Sequence, residues 1–287
     1  MPDLFAGIRL KLQRGCDQLD ALKKEIATFL DGDPYEPTVK FNRVHGSHEG
    51  RFVFDVSMGM RVKTPCPLMW GIVVGEIVHD FRSALDHVVY RLSTSDKART
   101  LFPIFIEATK FDDHAATMLK GVRAERAALI KVLQPFSTGE HVKSPLWHLA
   151  ELSNFDKHRT LHLTFGHLQS FNFGFPPLAC AAQITHQVRQ GGTFEDDTEI
   201  ARAHIVCNEP PFGREDVKVN VKINFEVVFN EGTPAPGVWT VLGTLLDIAD
   251  RCADVLERIG RESFEIQGLA LPRPHDSTRT QFETDLV

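Results

Sequence analysis

Residues Asp216 to Phe229 read DVKVNVKINFEVVF, and this run constrains the fold more than any other stretch of the chain. Val217, Val219, Val221, Ile223, Phe225 and Val227 fall on one side of an extended chain. Lys218, Asn220, Lys222, Asn224 and Glu226 fall on the other. Successive side chains of a strand point to opposite faces, so this pattern predicts a strand with one buried and one wet side. One-faced alternation belongs to antiparallel sheets. TLHLTF (160–165), Ala179 to Val188 and AHIVCN (203–208) continue the same reading after residue 160. A hairpin is expected near 39–62, with HGSHEG as its turn.

The rest of the chain repeats at three and four residues. Phe5, Ile8, Leu12, Leu19, Leu22, Ile26 and Phe29 predict a helix over 4–30, and a second is expected from Leu68 to Leu92 after KTPCP. FPIF (102–105) is an extended link, and a helical pattern follows over 111–133. Pro145 suits the first position of a further helix carrying PLWHLAELSNFDKHR. Val241, Leu245, Ile248, Cys252, Val255 and Ile259 form the seam of a last helix. That seam would pack on the sheet or pair with a copy of itself as a homodimer.

The fold class is therefore α+β: a helical bundle from the N-terminal half plus the C-terminal helix, with a mostly antiparallel β-sheet. The expected organisation is a mainly helical domain over 1–160, containing the hairpin, and a sheet with its C-terminal helix over 161–263. The two could equally form one continuous domain, and 264–287 reads as a flexible tail. The 287 residues, 43% hydrophobic and 24% charged, are ordinary for a globular protein. A net charge of −6 gives no general attraction to nucleic acid or anionic membranes. No signal peptide or 18-residue apolar run is visible. Cys16, Cys66, Cys180, Cys207 and Cys252 form no CxxC pair, which fits a reducing cytoplasm.

The chemistry concentrates in GEIVHDFRSALDHVVYRL, Gly75 to Leu92. On a helical wheel Glu76, Asp80, Ser83 and His87 make one stripe, with His79 and Tyr90 beside it. Arg82 and Asp86, four apart, can pair across a turn. WHLAELSNFDKHRTLH has a similar character. Trp147, Glu151, Asn154 and His158 share a face, while Asp156 and Arg159 sit where that helix should end. The simplest reading of both clusters is a solvated helix face, with His158 and Arg159 complementing a helix C-terminus. The sharper reading is that the faces meet, bringing His79, His87, Glu76 and Asp80 towards Glu151, Asn154 and His158.

WGIVVGEIVHDFRSALDHVVYRL, FPIF, LQPF and PLWHLAELSNFDKHRTLHL, in that order over roughly 65–170, resemble a family of uncharacterised bacterial proteins. Separately, Arg82-Ser-Ala-Leu-Asp-His87 resembles the R-x(4–6)-H motif of HEPN domains, helical and often dimeric bundles that include metal-independent ribonucleases. That resemblance implies Arg82 on a scissile phosphate and His87 as general acid or base, with RNA as substrate. His158 is the candidate third catalytic residue. The large sheet and the acidic surroundings of Glu76, Asp80 and Asp86 depart from the HEPN pattern, and Arg43 to His48 shows the same spacing in the hairpin turn.

Two other functions compete. Glu76 and His79 form a Glu-x-x-His step that, with Asp80, His87 and His158, could hold zinc, iron or manganese; His148 and Glu151 repeat it in reverse. His45, His48 and Glu49 are a lesser cluster. Alternatively the chain is a non-catalytic binding or oligomerisation module whose polar helices form a satisfied buried network. No P-loop, GxGxxG, GxSxG or HExxH is present.

Overall fold

The computed structural model describes residues 5–44, 52–95, 100–139, 141–174, 181–188, 192–207, 220–230, 232–234, 239–264 and 271–273. It is an α+β fold with two compact units that interleave in sequence. One comprises Met1–Glu25, Leu68–Leu161 and Val241–Val287; the other comprises Ile26–Pro67 and His162–Thr240. The His45, His48 and Glu49 cluster, the side chain of Arg43 and nearly all of the expected tail lie outside the described residues.

The sheet unit is antiparallel throughout its described pairings. β1 (Tyr35–Val44) and β2 (Phe52–Val62) form the expected hairpin, in register from Tyr35 opposite Val62 to Val44 opposite Val53. β6 (Glu199–Cys207) adds to β2, and β4 (Ala181–Val188) adds to β6, giving the order β1-β2-β6-β4. A second sheet has the order β5-β3-β7, from β3 (Leu163–Gly174), the short β5 (Thr193–Phe194) and β7 (Asn220–Phe229). Period-2 patterning therefore decided the strands but not their division into two sheets, because alternation says which face is buried and not which strand lies alongside. Val56, Met58 and Met60 of β2, with Ala201, Ala203 and Ile205 of β6, are buried. An aromatic cluster joins the two sheets: Tyr35 stands edge-on to Phe165 and Phe225 at 5.3 and 5.0 Å, and Phe194 lies 4.8 Å from Phe225.

In the helical unit, α1 (Ala6–Asp31, of which residues through Glu25 belong here) buries Ile8, Leu12, Cys16, Leu19 and Leu22, and Phe5 just before it is buried too. α2 runs Leu68–Leu92, as expected, and is covered on most of its circumference. The expected single helix over 111–133 is instead α3 (Ala108–Met118) and α4 (Ala124–Val132). Gly121 breaks it with φ of 77°, a left-handed conformation that glycine adopts without strain. Ser93 and Thr94 then fasten the turn by donating to the Lys120 and Gly121 carbonyls at 2.8 and 3.0 Å. α5 spans Pro145–Asp156 with its proline at the first position.

α6 (Val241–Phe264) buries the whole expected seam, and also Ala249, Ala253 and Leu256. That seam packs on α2, α4 and α5, partners other than the sheet or second copy that the sequence suggested. A wide apolar face suits either partner, so periodicity alone left the choice open. No helix among the described residues is long and apolar enough to cross a membrane.

The α2–α5 contact depends on a notch made by Gly71 and Gly75, one turn apart. A methyl group on Gly71 would overlap the Leu161 carbonyl, and one on Gly75 would overlap the Asp156 carboxylate. In an open helix interior, glycine to alanine stabilises by about 1 kcal/mol. Here we expect Gly71→Ala to destabilise by about 2 kcal/mol, because the overlap is with backbone that cannot yield cheaply. Urea unfolding decides the sign, and a stabilised variant would remove the notch from this account.

Candidate functional site

α1 and α2 run antiparallel, and their polar residues meet along one seam. Lys11, Arg14 and Gln18 recur at steps of three and four on one flank of the apolar stripe of α1. Lys11 Nζ donates to Asp80 Oδ1 at 3.2 Å, Arg14 Nε lies 3.4 Å from Asp80 Oδ2, and Gln18 Nε2 donates to Glu76 Oε2 at 2.8 Å. Asp80 is the buried member, its side chain only 1% exposed. Gln18 Oε1 is buried with no hydrogen-bond donor, and Asp80 Oδ2, equally buried, has the Arg14 ion pair in place of one.

Arg82 and Asp86 have a different task. The Arg82 guanidinium donates to the Phe102 carbonyl at 2.6 Å, while Asp86 Oδ1 accepts the Phe102 N–H at 2.7 Å. The two side chains also pair with each other at 3.3 Å, across the turn the sequence suggested. Together they bracket both polar groups of one residue in the extended FPIF link. That link has no strand neighbour, and its buried backbone must find partners among side chains. Gln134 does the same at the other end, accepting the Phe105 N–H at 3.1 Å. Burial pushes the Asp86 carboxyl above its ordinary value, against the opposing pull of Arg82, the Phe102 N–H and Lys157.

The remaining candidates are spread out. His79 and His87 are exposed on α2, and Ser83 is half-buried. On α5, Glu151 is half-buried, and Asn154 is exposed and accepts from Lys157 Nζ at 3.5 Å. His158 and Arg159 are exposed just past the helix end, where their N–H groups both reach the Phe155 carbonyl at 3.0 Å; the Arg159 guanidinium lies 5.9 Å over the Phe155 ring. Asp156 is the α5 residue that the Gly71–Gly75 notch brings against α2. Burial raises its carboxyl above the ordinary value, and His79 partly offsets this. The two faces thus meet at His79 and Asp156. Among the described residues, no hydrogen bond or ion pair joins His87 to His158 or to Glu151.

These contacts leave a pocket of about 340 Å³, walled by Arg14 of α1, Ile72, Gly75, Glu76, His79 and Asp80 of α2, and Asp156 of α5. Glu76, His79, Asp80 and Asp156 were candidates from the sequence. Arg14 and Ile72 were not. The spacing of Lys11, Arg14 and Gln18 beside an apolar stripe was the available signal, but it needed an acidic partner face to mean anything.

Among the described residues no three His, Cys, Asp or Glu side chains converge as a metal site. His148 Nε2 is engaged 3.2 Å from the Val142 carbonyl, and burial lowers its pKa. Burial also pushes the Cys16, Cys66 and Cys252 thiols up to about 12, so they stay protonated and poor as nucleophiles.

We expect Arg82→Ala to lower the unfolding free energy by about 3 kcal/mol, since it leaves the Phe102 carbonyl without a donor and Asp86 without its cation. His87→Ala, at an exposed position, should stay within about 0.5 kcal/mol. Denaturant unfolding measures both, and equal effects would contradict the assignment. Asp86 also sets a pH dependence. Because its folded pKa is raised, its contribution to stability is full below the ordinary value of 3.8 and is lost as pH rises through the folded value. Asp86→Asn should remove that falling component from a stability–pH curve measured upward from the ordinary value of 3.8. Comparison with protein-family models, with curated proteins and with solved structures gives no match.

Proposed function

We propose that this protein is a non-catalytic binding protein whose helical unit takes a small ligand into the pocket between α1, α2 and the end of α5. The observation that carries the reading is the pocket itself, bordered by Asp80, a carboxylate only 1% exposed that Lys11 and Arg14 hold in place. The pocket opens onto that residue, and its volume is in the range that accommodates small molecules. We place the protein in the cytoplasm, in keeping with the free, buried thiols of Cys16, Cys66 and Cys252.

The ribonuclease reading requires Arg82 on a phosphate. That would mean withdrawing it from Phe102 and leaving a buried carbonyl and Asp86 without their partner. Glu76, Asp80 and Asp156 around the pocket would also repel a phosphate chain.

The test is a ligand-observed NMR screen of mixed acidic, basic and neutral fragments against the full chain and Ile72→Trp. Ile72 is 45% exposed on the pocket wall, so the larger ring should fill the pocket without disturbing the core. Hits lost in Ile72→Trp support the proposal. An absence of hits, or hits that ignore the substitution, contradicts it. RNA cleavage in excess EDTA that vanishes in both Arg82→Lys and His87→Ala would favour the ribonuclease instead.

A further inference from the structure

Leu271, Pro272 and Arg273 lie across α1 and α6 and are held there by their side chains and one weak bond. Leu271 is buried. The Cys16 thiol of α1 donates to the Pro272 carbonyl at 3.8 Å, a weak bond because sulfur is a poor donor. Among the described residues, no backbone–backbone hydrogen bond reaches the segment. Arg273 supplies the rest of the hold. Its Nη2 donates to Asp254 Oδ1 at 2.8 Å and lies 3.3 Å from Glu257 Oε1, while its Nη1 lies 3.8 Å from Asp250 Oδ1.

Asp250, Asp254 and Glu257 follow at steps of four and three, so they share one stripe of α6. Like charges at that spacing destabilise a helix unless a cation sits among them. The nearby basic residues of α6 are engaged elsewhere: Arg251 donates to the Leu133 carbonyl at 3.0 Å, and Arg258 pairs with Glu262 at 3.0 Å. An acidic stripe alone is an ordinary solvated face. Here a guanidinium is seated on it, and its planar fork reaches several carboxylates from one side chain.

We infer that Leu271–Arg273 is a releasable strap, the chain's own occupant of an arginine-reading groove between α1 and α6, and that its opening uncovers Cys16. The lock is at the surface, with Arg273 38% and Asp254 54% exposed, so salt screens it. The helices beneath are held by apolar burial, which salt does not weaken, so the strap can open while they stay closed. Under the strap, Cys16 is 1% exposed and its thiol, pushed up to about 12 by burial, is unreactive. Leu271 and Pro272 also wall a cavity of about 580 Å³ with Ala6, Arg9, Leu10 and Gln13 of α1. The strap thus closes a groove with an apolar strip along α1 and an acidic stripe along α6.

Cys16 reports the opening. The full chain is labelled with N-ethylmaleimide and read by peptide mass spectrometry, with the fully buried Cys252 of α6 as the control for opening of the helices themselves. Arg273→Gln should raise the Cys16 labelling rate at least about tenfold and leave Cys252 unchanged. Raising NaCl from about 0.05 to about 1 M should speed Cys16 labelling in the unaltered chain and have little effect in Arg273→Gln. Asp254→Asn combined with Glu257→Gln should release the strap from the other side, and adding Arg273→Gln to that pair should change little more. All three side chains are part-exposed, so these variants leave the core intact. An unchanged Cys16 rate in Arg273→Gln would overturn the strap. Cys16 and Cys252 rising together would also overturn it, because the helical unit would then be opening as a whole. Additive effects of the α6 pair and Arg273→Gln would overturn the arginine lock.

Discussion

Everything distinctive in the helical unit follows from the burial of α2. The helix is packed by α1 on one flank, by α5 at its glycine notch and by α6 behind, so Asp80, Arg82 and Asp86 have little free access to water, while Glu76, His79 and His87 stay exposed. A charged group in that position is tolerable only where a specific partner meets it. Arg82 and Asp86 meet Phe102, Asp80 meets Lys11 and Arg14, and Glu76 meets Gln18. Each pairing fixes a neighbouring element: the FPIF link in one case and α1 in the others. The titratable crowd on α2 therefore serves first as the set of fasteners that decides where its neighbours lie.

That arrangement also explains why a pocket forms where it does. The glycine notch draws Asp156 close to α2, while Lys11 and Arg14 approach from α1. Three carboxylates and two cations cannot close on one another completely, because the helix backbones set their separation. The space that remains is bordered by the buried Asp80 carboxylate.

Much of the fold could be read from the sequence, and much of the site could not. The bounds of α2, the start of α5 at Pro145 and the alternation in β7 followed from periodicity and from proline, which are local properties. The Arg82–Asp86 pair followed from spacing. The break at Gly121, the partner of the α6 seam and the division into two sheets did not, since each depends on what packs against a face. The same limit governs the site. Glu76, His79, Asp80 and Asp156 could be named as polar residues of α2 and α5, but Arg82 looked like a phosphate ligand until Phe102 was seen in its grasp. His87 and His158 have the chemistry of a catalytic pair, and the structure leaves each on an exposed surface. Residue type and spacing propose a chemistry; only the partner distinguishes a reactive group from a fastener.

The central claim is that Arg82 and Asp86 act as a coupled structural clamp on Phe102. A double-mutant cycle with Arg82→Ala, Asp86→Ala and the double variant, followed by urea unfolding, measures that coupling directly. The account requires a coupling of about 1–3 kcal/mol, with the double variant less destabilised than the sum of the two singles. Additive effects, or singles that barely change stability, would contradict it and return Arg82 to the pool of groups free for catalysis.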